Sequence, residues 1–154
     1  MTAAGIDLSP MKVQDYDEVA ALWRATEGIG LNDETDSREG IASYLTRNPA
    51  ISHVARHQGR IVGAVLCGHD GRRGYLHHLA VARPWRNRGI ASALVEVCLA
   101  KLASIGIPKC NIFLFADNQL GRAFWNHVAW VERADLKVLQ RKTSSGGHNG
   151  VDGL

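Results

Sequence analysis

The spacing of apolar and polar residues changes along the first half of the chain, and the changes predict a succession of strands and helices. Strict alternation predicts strands, whereas apolar residues three and four positions apart predict helices. The predicted elements are a strand over residues 6–11, a helix over 15–28, a helix over 37–47, and strands over 51–57 and 60–68. Gln58-Gly59 between the last two strands is typical of a tight hairpin turn.

The second half repeats a strand–helix–strand order. The predicted elements are strands over 75–82, 109–115 and 130–139 and helices over 89–105 and 119–128. The segment 109–115 is almost continuously apolar, which is typical of a strand covered on both faces. We therefore predict an α/β fold with a mixed sheet and helices on both faces. Its early hairpins should be antiparallel, and the later strand–helix–strand unit should be parallel.

Length and charge narrow the class of protein. The chain has 154 residues and a formal net charge of +3, with basic and acidic residues mixed along most of its length. These values predict one domain over residues 1–142, and they do not indicate a basic surface that binds nucleic acid. Residues 143–154 are rich in Gly and Ser and predict a flexible tail. No stretch is long and apolar enough to cross a membrane, so we expect a cytoplasmic protein.

Three cysteines, Cys67, Cys98 and Cys110, lie within apolar strand or helix patterns. Their odd number and wide spacing predict reduced, buried thiols rather than a disulfide framework or a zinc site. We expect no metal.

The turn from Arg86 to Ser92, between a strand and a long helix, contains a candidate anion site. Backbone amides at the start of a helix have no intrahelical acceptor, and the helix dipole adds partial positive charge there. Gly89 lets the backbone approach an anion closely, and the small Ala91 does nearly the same. This turn therefore predicts a phosphate or pyrophosphate site.

Three motifs in this order resemble the GCN5-related N-acetyltransferase (GNAT) superfamily, over about residues 6–140. The first is the strand Leu79-Ala80-Val81 with the turn Arg86-Asn87-Arg88-Gly89-Ile90-Ala91, which is similar to the pyrophosphate turn of the family. The second is Asn118, which follows the next strand. The third is the segment 124–130, Phe-Trp-Asn-His-Val-Ala-Trp. Within the superfamily the chain most resembles small bacterial acetyltransferases of the YpeA type.

This resemblance implies a GNAT fold with a mixed, mostly antiparallel sheet of six to seven strands. Four helices would flank the sheet, which would be splayed between its fourth and fifth strands. The implied function is acetyl-CoA-dependent transfer of an acetyl group directly to a primary amine of a small molecule or protein. A backbone N–H near Val81 would stabilise the oxyanion. The implied cofactor-binding residues are Leu79, Ala80, Val81, Arg86, Asn87, Arg88, Gly89, Ile90, Ala91, Ser92, Asn118 and Trp125.

The chain departs from the family pattern at positions that bear on the chemistry. Trp125 stands where the family usually has a tyrosine that protonates the leaving thiolate, and an indole N–H is no general acid near neutral pH. Phe113 stands where some protein-modifying members carry a base glutamate, and Ala129 replaces a usual glycine. The leaving group would then depart as the free thiolate or receive its proton from water.

His77 is the expected general base. Strand alternation places it on the same face as Leu79 and Val81, with His78 facing the other way. Arylalkylamine acetyltransferases carry histidines at similar places in this strand, and imidazole accepts protons at physiological pH. Tyr75, on the His77 face, is a second candidate. The alternative is that His77 is a packed strand histidine whose nitrogens are satisfied.

Other functions are compatible with parts of the chain. Gly71-Arg72-Arg73-Gly74 matches the GXXG loop of RNA-binding KH domains. Here it lies between two strand patterns, so we expect a hairpin turn and no nucleic-acid partner. Trp125 and Phe113 are also compatible with a non-catalytic acyl-CoA sensor. Acidic residues over 27–39 either solvate a loop or attract a cationic amine. A homodimer is left open.

Overall fold

A computed structural model describes residues 5–144 of the chain. Its α-helices are α1 (Tyr16–Arg24), α2 (Arg38–Arg47), α3 (Ile90–Ser104) and α4 (Gln119–His127). Its strands are β1 (Ile6–Pro10), β2 (His53–His57), β3 (Arg60–His69), β4 (Gly74–Val81) and β5 (Cys110–Ile112). Short 3-10 helices cover Val13–Asp15 and Arg83–Trp85.

The strands form one sheet in the order β1-β2-β3-β4-β5. All neighbouring pairs are antiparallel except β4 and β5, which are parallel and connected through α3. Gln58 and Gly59, in the β2–β3 turn, both have positive φ angles, of 50° and 80°. This is the backbone twist that two-residue hairpin turns use. The mixed sheet, the early antiparallel hairpins and the parallel later unit are therefore confirmed.

Each face of the sheet carries its own apolar core. On one face, Leu94 and Cys98 of α3 are fully buried against the sheet, and Phe124 of α4 packs against the same cluster. On the other face, Trp23 of α1 and Ile41 of α2 are buried. Helices on both faces, four α-helices in all among residues 5–144, agree with the expected α/β architecture.

The C-terminal region differs from the expectation. The strand expected over residues 130–139 does not form, because Leu136 N donates to Arg133 O at 3.2 Å and makes a turn in the middle of the segment. Arg133 is also paired with Asp135 at 2.8 Å. β5 is three residues long rather than spanning 109–115. Within the described residues the sheet therefore has five strands, and the expected count of six to seven is wrong.

Other expectations are settled only in part. Cys67, Cys98 and Cys110 are free thiols, the first two buried and the third partly buried. No helix within residues 5–144 has both the length and the apolar character needed to cross a bilayer. Residues 145–154, most of the expected flexible tail, lie outside the described residues, and the single-domain expectation stays a prediction.

Candidate active site

A cleft opens where β4 and β5 diverge. The two strands pair only between Gly74–Leu76 and Cys110–Ile112, so among the described strands the second half of β4 has no neighbour on that side. The resulting cleft has a volume of about 690 Å³, within the range of ordinary small-molecule sites. The expected separation between the fourth and fifth strands is thus present. Of the expected cofactor-binding residues, all but Arg88 line this cleft.

The first turn of α3 forms one end of the cleft. Gly89, its N-cap, has a φ of +80°, and no side chain caps the helix. The first-turn amides of α3 therefore have neither an intrahelical acceptor nor a capping oxygen. Together with the helix dipole, these amides make a site for an anion such as a pyrophosphate. The pyrophosphate site at this turn stays a prediction.

The arginines of the turn take different positions. Arg86 donates from Nε to the Val81 carbonyl at 2.9 Å and lies 3.6 Å from the Glu27 carboxylate. Glu27 also pairs with Arg83, and this hydrogen bond holds the pKa of Glu27 below its usual value. Arg88 instead lies over the Trp85 ring, 4.9 Å from the ring centroid. Arg86 therefore stabilises the cleft wall through these contacts, whereas Arg88 is not among the residues that line the cleft.

Val81 offers a free backbone donor at the cleft edge. Ala82 N donates to Val62 O of the neighbouring β3 side at 2.8 Å. Successive amides of an antiparallel strand point to opposite edges, so the Val81 N–H points away from β3 and toward the cleft. This is the orientation that an oxyanion donor at Val81 requires.

The opposite wall is built from the segment after β5 and from α4. Asn118 is the N-cap of α4 and accepts a hydrogen bond from Gly121 N at 2.9 Å. Its amide group also lies against Gly28, where a Cβ atom would come within 2.5 Å of Asn118 Nδ2. Trp125 packs against Trp130, with ring centroids 4.7 Å apart. Asn118 and Trp125 thus lie on the cleft wall, with the Asn118 oxygen engaged in capping.

A β-bulge in β4 changes the expected placement of the two histidines. His77 pairs with Leu66 and Ala80 pairs with Ala64, so two β4 residues stand opposite one β3 residue. His78 within this bulge has a φ of +54°. The His77 ring contacts Tyr44 of α2, and the His78 ring contacts Trp23 of α1.

Both histidines therefore lie on the α1 and α2 face, whereas Leu79 and Val81 pack toward α3. The expectations that His77 shares a face with Leu79 and that His78 faces away from His77 are wrong. Strand alternation fails here because the bulge inserts one residue into the pattern. Tyr75 does share the His77 side, since their rings stack at 6.4 Å. Burial lowers the pKa of His77, and the nearby His78 lowers it further.

Sequence reasoning missed a partner of His78. Its Nε2 lies 2.9 Å from Oδ1 of Asp36, in the loop between α1 and α2. Burial tends to raise the pKa of Asp36, but hydrogen bonds from His78 and from the Asn32 backbone outweigh it and leave the pKa below its usual value. The two residues are 42 positions apart and carry no shared motif, so no local signal identifies the pair.

The loop Gly71-Arg72-Arg73-Gly74 has the expected setting. It joins β3 to β4, and Asp70 accepts from the amides of Arg72 and Arg73 at 2.8 Å each. It is a hairpin turn between strands, whereas the KH loop joins two helices.

Comparison with known proteins agrees with this architecture. The model of the acetyltransferase (GNAT) family matches residues 16–129. An acetyltransferase from Sodalis glossinidius is 33% identical over 137 residues, covering 89% of this chain and 95% of that protein. Two solved structures share the fold at 16% identity each. Ard1 from Thermoplasma volcanium has a TM-score of 0.75, with 85% of this chain and 86% of that chain covered. PaiA N-acetyltransferase from Thermoplasma acidophilum, in complex with coenzyme A, has a TM-score of 0.70, with 80% and 87% covered.

The narrower similarity to the YpeA type stays a prediction. The family match covers most of the chain, and the relative is similar over nearly its whole length. The chain therefore belongs to the GNAT family of N-acetyltransferases, which confirms the resemblance and the enzyme class that it implied.

Proposed function

We propose that this protein transfers the acetyl group of acetyl-CoA directly to a primary amine, with both substrates bound at once. The observation that carries the proposal is the cleft between β4 and β5, which joins two kinds of donor. The uncapped amides of α3 lie at one end, and the Val81 N–H lies along the wall. The first would hold the pyrophosphate of acetyl-CoA, and the second would hydrogen-bond to its thioester carbonyl.

The residues present fit such a co-substrate. No capping side chain occupies the α3 amides, and the cleft volume of about 690 Å³ suits a large, extended molecule. The structural neighbour from Thermoplasma acidophilum is described in complex with coenzyme A. The unpaired edge of β4 at Leu79 and Val81 would hydrogen-bond to the amides of the pantetheine arm.

The transfer needs a base to accept the proton that the amine nitrogen loses, but it needs no side-chain acid. The amine nitrogen attacks the thioester carbonyl carbon, and negative charge develops on the carbonyl oxygen. A backbone N–H placed for that oxygen contributes about 3 kcal/mol to lowering the barrier. When the carbonyl re-forms, the C–S bond breaks and its electrons leave with sulfur. Trp125 cannot protonate that thiolate, so the proton arrives from water. Holding both substrates in one cleft supplies the rest by positioning.

The acceptor is a primary amine of a small molecule or a protein. Acidic residues of the loop between α1 and α2 favour a cationic one. A homodimer is left open by this proposal.

The first test is calorimetry of acetyl-CoA binding to Gly89→Glu. The substitution adds a carboxylate at the first turn of α3, which repels the pyrophosphate, so we expect binding to weaken at least 100-fold. Gly59→Glu is a matched control. Gly59 also has a φ of +80°, but it lies in the β2–β3 turn with nothing near its Cβ position. The control therefore carries the same backbone strain and charge away from the cleft.

Unchanged acetyl-CoA affinity in a folded Gly89→Glu variant would remove the proposed site. The catalytic part is tested separately, by thiol release from acetyl-CoA with a panel of primary amines. Binding without thiol release from any amine would instead indicate an acyl-CoA sensor. Salt-sensitive RNA binding that disappears on changing Arg72 and Arg73 would favour the RNA-binding alternative.

A further inference from the structure

A buried imidazole–carboxylate pair lies beside the cleft. The side chains of His78 and Asp36 are only 6% and 10% exposed, and His78 is among the residues that line the cleft. A carboxylate bonded to one ring nitrogen of a histidine fixes the tautomer. Here the ionised Asp36 favours a proton on Nε2 of His78, which leaves the lone pair on Nδ1.

That second ring nitrogen has no hydrogen-bond partner among the protein atoms of residues 5–144. Within residues 5–144, His78 Nδ1 is the one buried side-chain nitrogen or oxygen that lacks a hydrogen-bond partner. Burying a polar atom without a hydrogen-bond partner destabilises the fold, so such an atom persists only where something offsets that loss. Such exceptions in folded proteins call for an explanation, and a catalytic role is one of the few available.

The backbone holds His78 in a constrained position. Its φ of +54° is uncommon for a residue with a side chain, and it lies within the bulge of β4. The Trp23 indole N–H donates to the His78 carbonyl at 2.8 Å, and the two rings meet edge to face at 5.0 Å. His77 makes only aromatic contacts, with no side-chain hydrogen bond among the described residues. Of the two, His78 is the histidine with an orienting partner.

We propose that His78, oriented by Asp36, is the general base of the acetyl transfer, in place of His77. This inference rests on the proposed function. As the amine nitrogen forms its bond to the carbonyl carbon, one of its protons passes to His78 Nδ1. The C–S bond then breaks, and sulfur leaves as the thiolate. The proton passes from His78 to water, which resets the base. Asp36 acts as a positioning residue, since it contacts His78 and not the amine.

The surroundings of His78 set the expected pH dependence. The elements that contact it contribute one carboxylate, Asp36, and one other titratable ring, His77, while α1 contributes the neutral Trp23. Asp36 is ionised at neutral pH because its pKa is held below its usual value. A general base gives the rate profile an acidic limb, which should disappear when His78 is replaced. Removing the Asp36 carboxylate should lower kcat, because that carboxylate fixes the tautomer of the ring.

The test compares His78→Gln, His77→Gln and Asp36→Asn by kcat across pH 5 to 9, with spermidine and an alanine-terminated peptide as probe amines. A glutamine at 78 retains an N–H for Asp36 but no base. We expect His78→Gln to lower kcat about 100- to 1000-fold and to abolish the acidic limb. His77→Gln should retain the limb, whatever its rate. Asp36→Asn should retain the limb but lower kcat, because the ring loses the carboxylate that fixes its tautomer.

Calorimetry with acetyl-CoA on the same variants separates folding from chemistry. Binding by His78→Gln within about twofold of the parent shows an intact cleft. If that variant then retains the rate and limb of the parent, or if His77→Gln loses the limb, the assignment of the base is wrong while the transferase function stands. A parent that binds acetyl-CoA but releases no thiol with either probe overturns the proposed transfer and the base with it.

A measurement without turnover gives an independent answer. Nitrogen-15 NMR of the imidazole distinguishes the two tautomers and the protonated form. We expect His78 at pH 8 to carry its proton on Nε2 with Nδ1 unprotonated, and Asp36→Asn to show a mixture of the two tautomers. A proton on Nδ1 of the parent at pH 8 would overturn the proposal, because that nitrogen could then accept nothing from an amine.

Discussion

The two walls of the cleft are supported very differently. The wall formed by β4 and α3 belongs to a continuous core, in which α3 alone buries five residues. The wall formed by the segment after β5 and by α4 has no buried residue in its helix. Because burial of apolar surface is the main source of stability, the first wall is fixed by the fold. The second is held by fewer contacts.

The helices of the two walls also differ in how their N-termini are capped. α4 is capped by Asn118, and α2 by Ser37, each accepting from an amide of its own first turn. α3 begins at Gly89 with no such cap. Glycine in place of a capping side chain costs only about a few tenths of a kcal/mol of stability, which the buried face of α3 offsets easily. The well-supported wall can thus leave its amides free for a ligand, whereas the weakly supported wall uses its cap to hold its helix.

The largest expected effect follows from burial. Leu94 of α3 is 0% exposed, whereas Leu120 of α4 is 84% exposed. We expect Leu94→Ala to lower the free energy of unfolding by about 3 kcal/mol through lost contacts and a cavity. Leu120→Ala should change it by less than about 0.5 kcal/mol. Urea denaturation of the ligand-free protein measures both, and similar losses in the two variants would contradict the contrast between the walls.

The next effect tests the cap of the weaker wall. We expect Asn118→Ala to lower the free energy of unfolding by about 1 kcal/mol, because Gly121 N loses its acceptor. Asn118→Ser is the matched variant, since serine keeps a capping oxygen but lacks the amide that lies against Gly28. Thermal unfolding should therefore place the serine variant close to the parent. If both variants are equally destabilised, the contact with Gly28, and not the cap, supports this wall.

Sequence alone predicted the well-supported wall better than the other. The helix expected over 89–105 is found at Ile90–Ser104, because an apolar stripe and flanking glycines define its face and both its ends. Such signals are local. The segment 130–139 has apolar residues with strand-like character, but a strand forms only against an available edge. The turn at Arg133 interrupts the segment, and β5 offers it an edge of only three residues.

The site shows the same division between local and non-local information. The anion turn and the open edge of β4 could be placed from motifs, since they lie within a dozen neighbouring residues. The bulge at His78 could not, because it depends on the register between β3 and β4. Nor could the pairing of His78 in β4 with Asp36 in the loop between α1 and α2, because the fold brings these two distant segments together. The chemistry of the base therefore depends on tertiary structure that no short motif encodes.

The smallest expected effect concerns the exposed segment that follows α4. Val138 is 70% exposed and Leu139 is 90% exposed. If they contribute nothing to the fold, the double variant Val138→Ser and Leu139→Ser should keep its free energy of unfolding within about 0.5 kcal/mol of the parent. Denaturation at two protein concentrations makes the test decisive. A loss of stability that grows with protein concentration would mean that a second copy covers these side chains in the parent, because only an associated form gains stability by mass action. The weaker wall would then be completed by a homodimer.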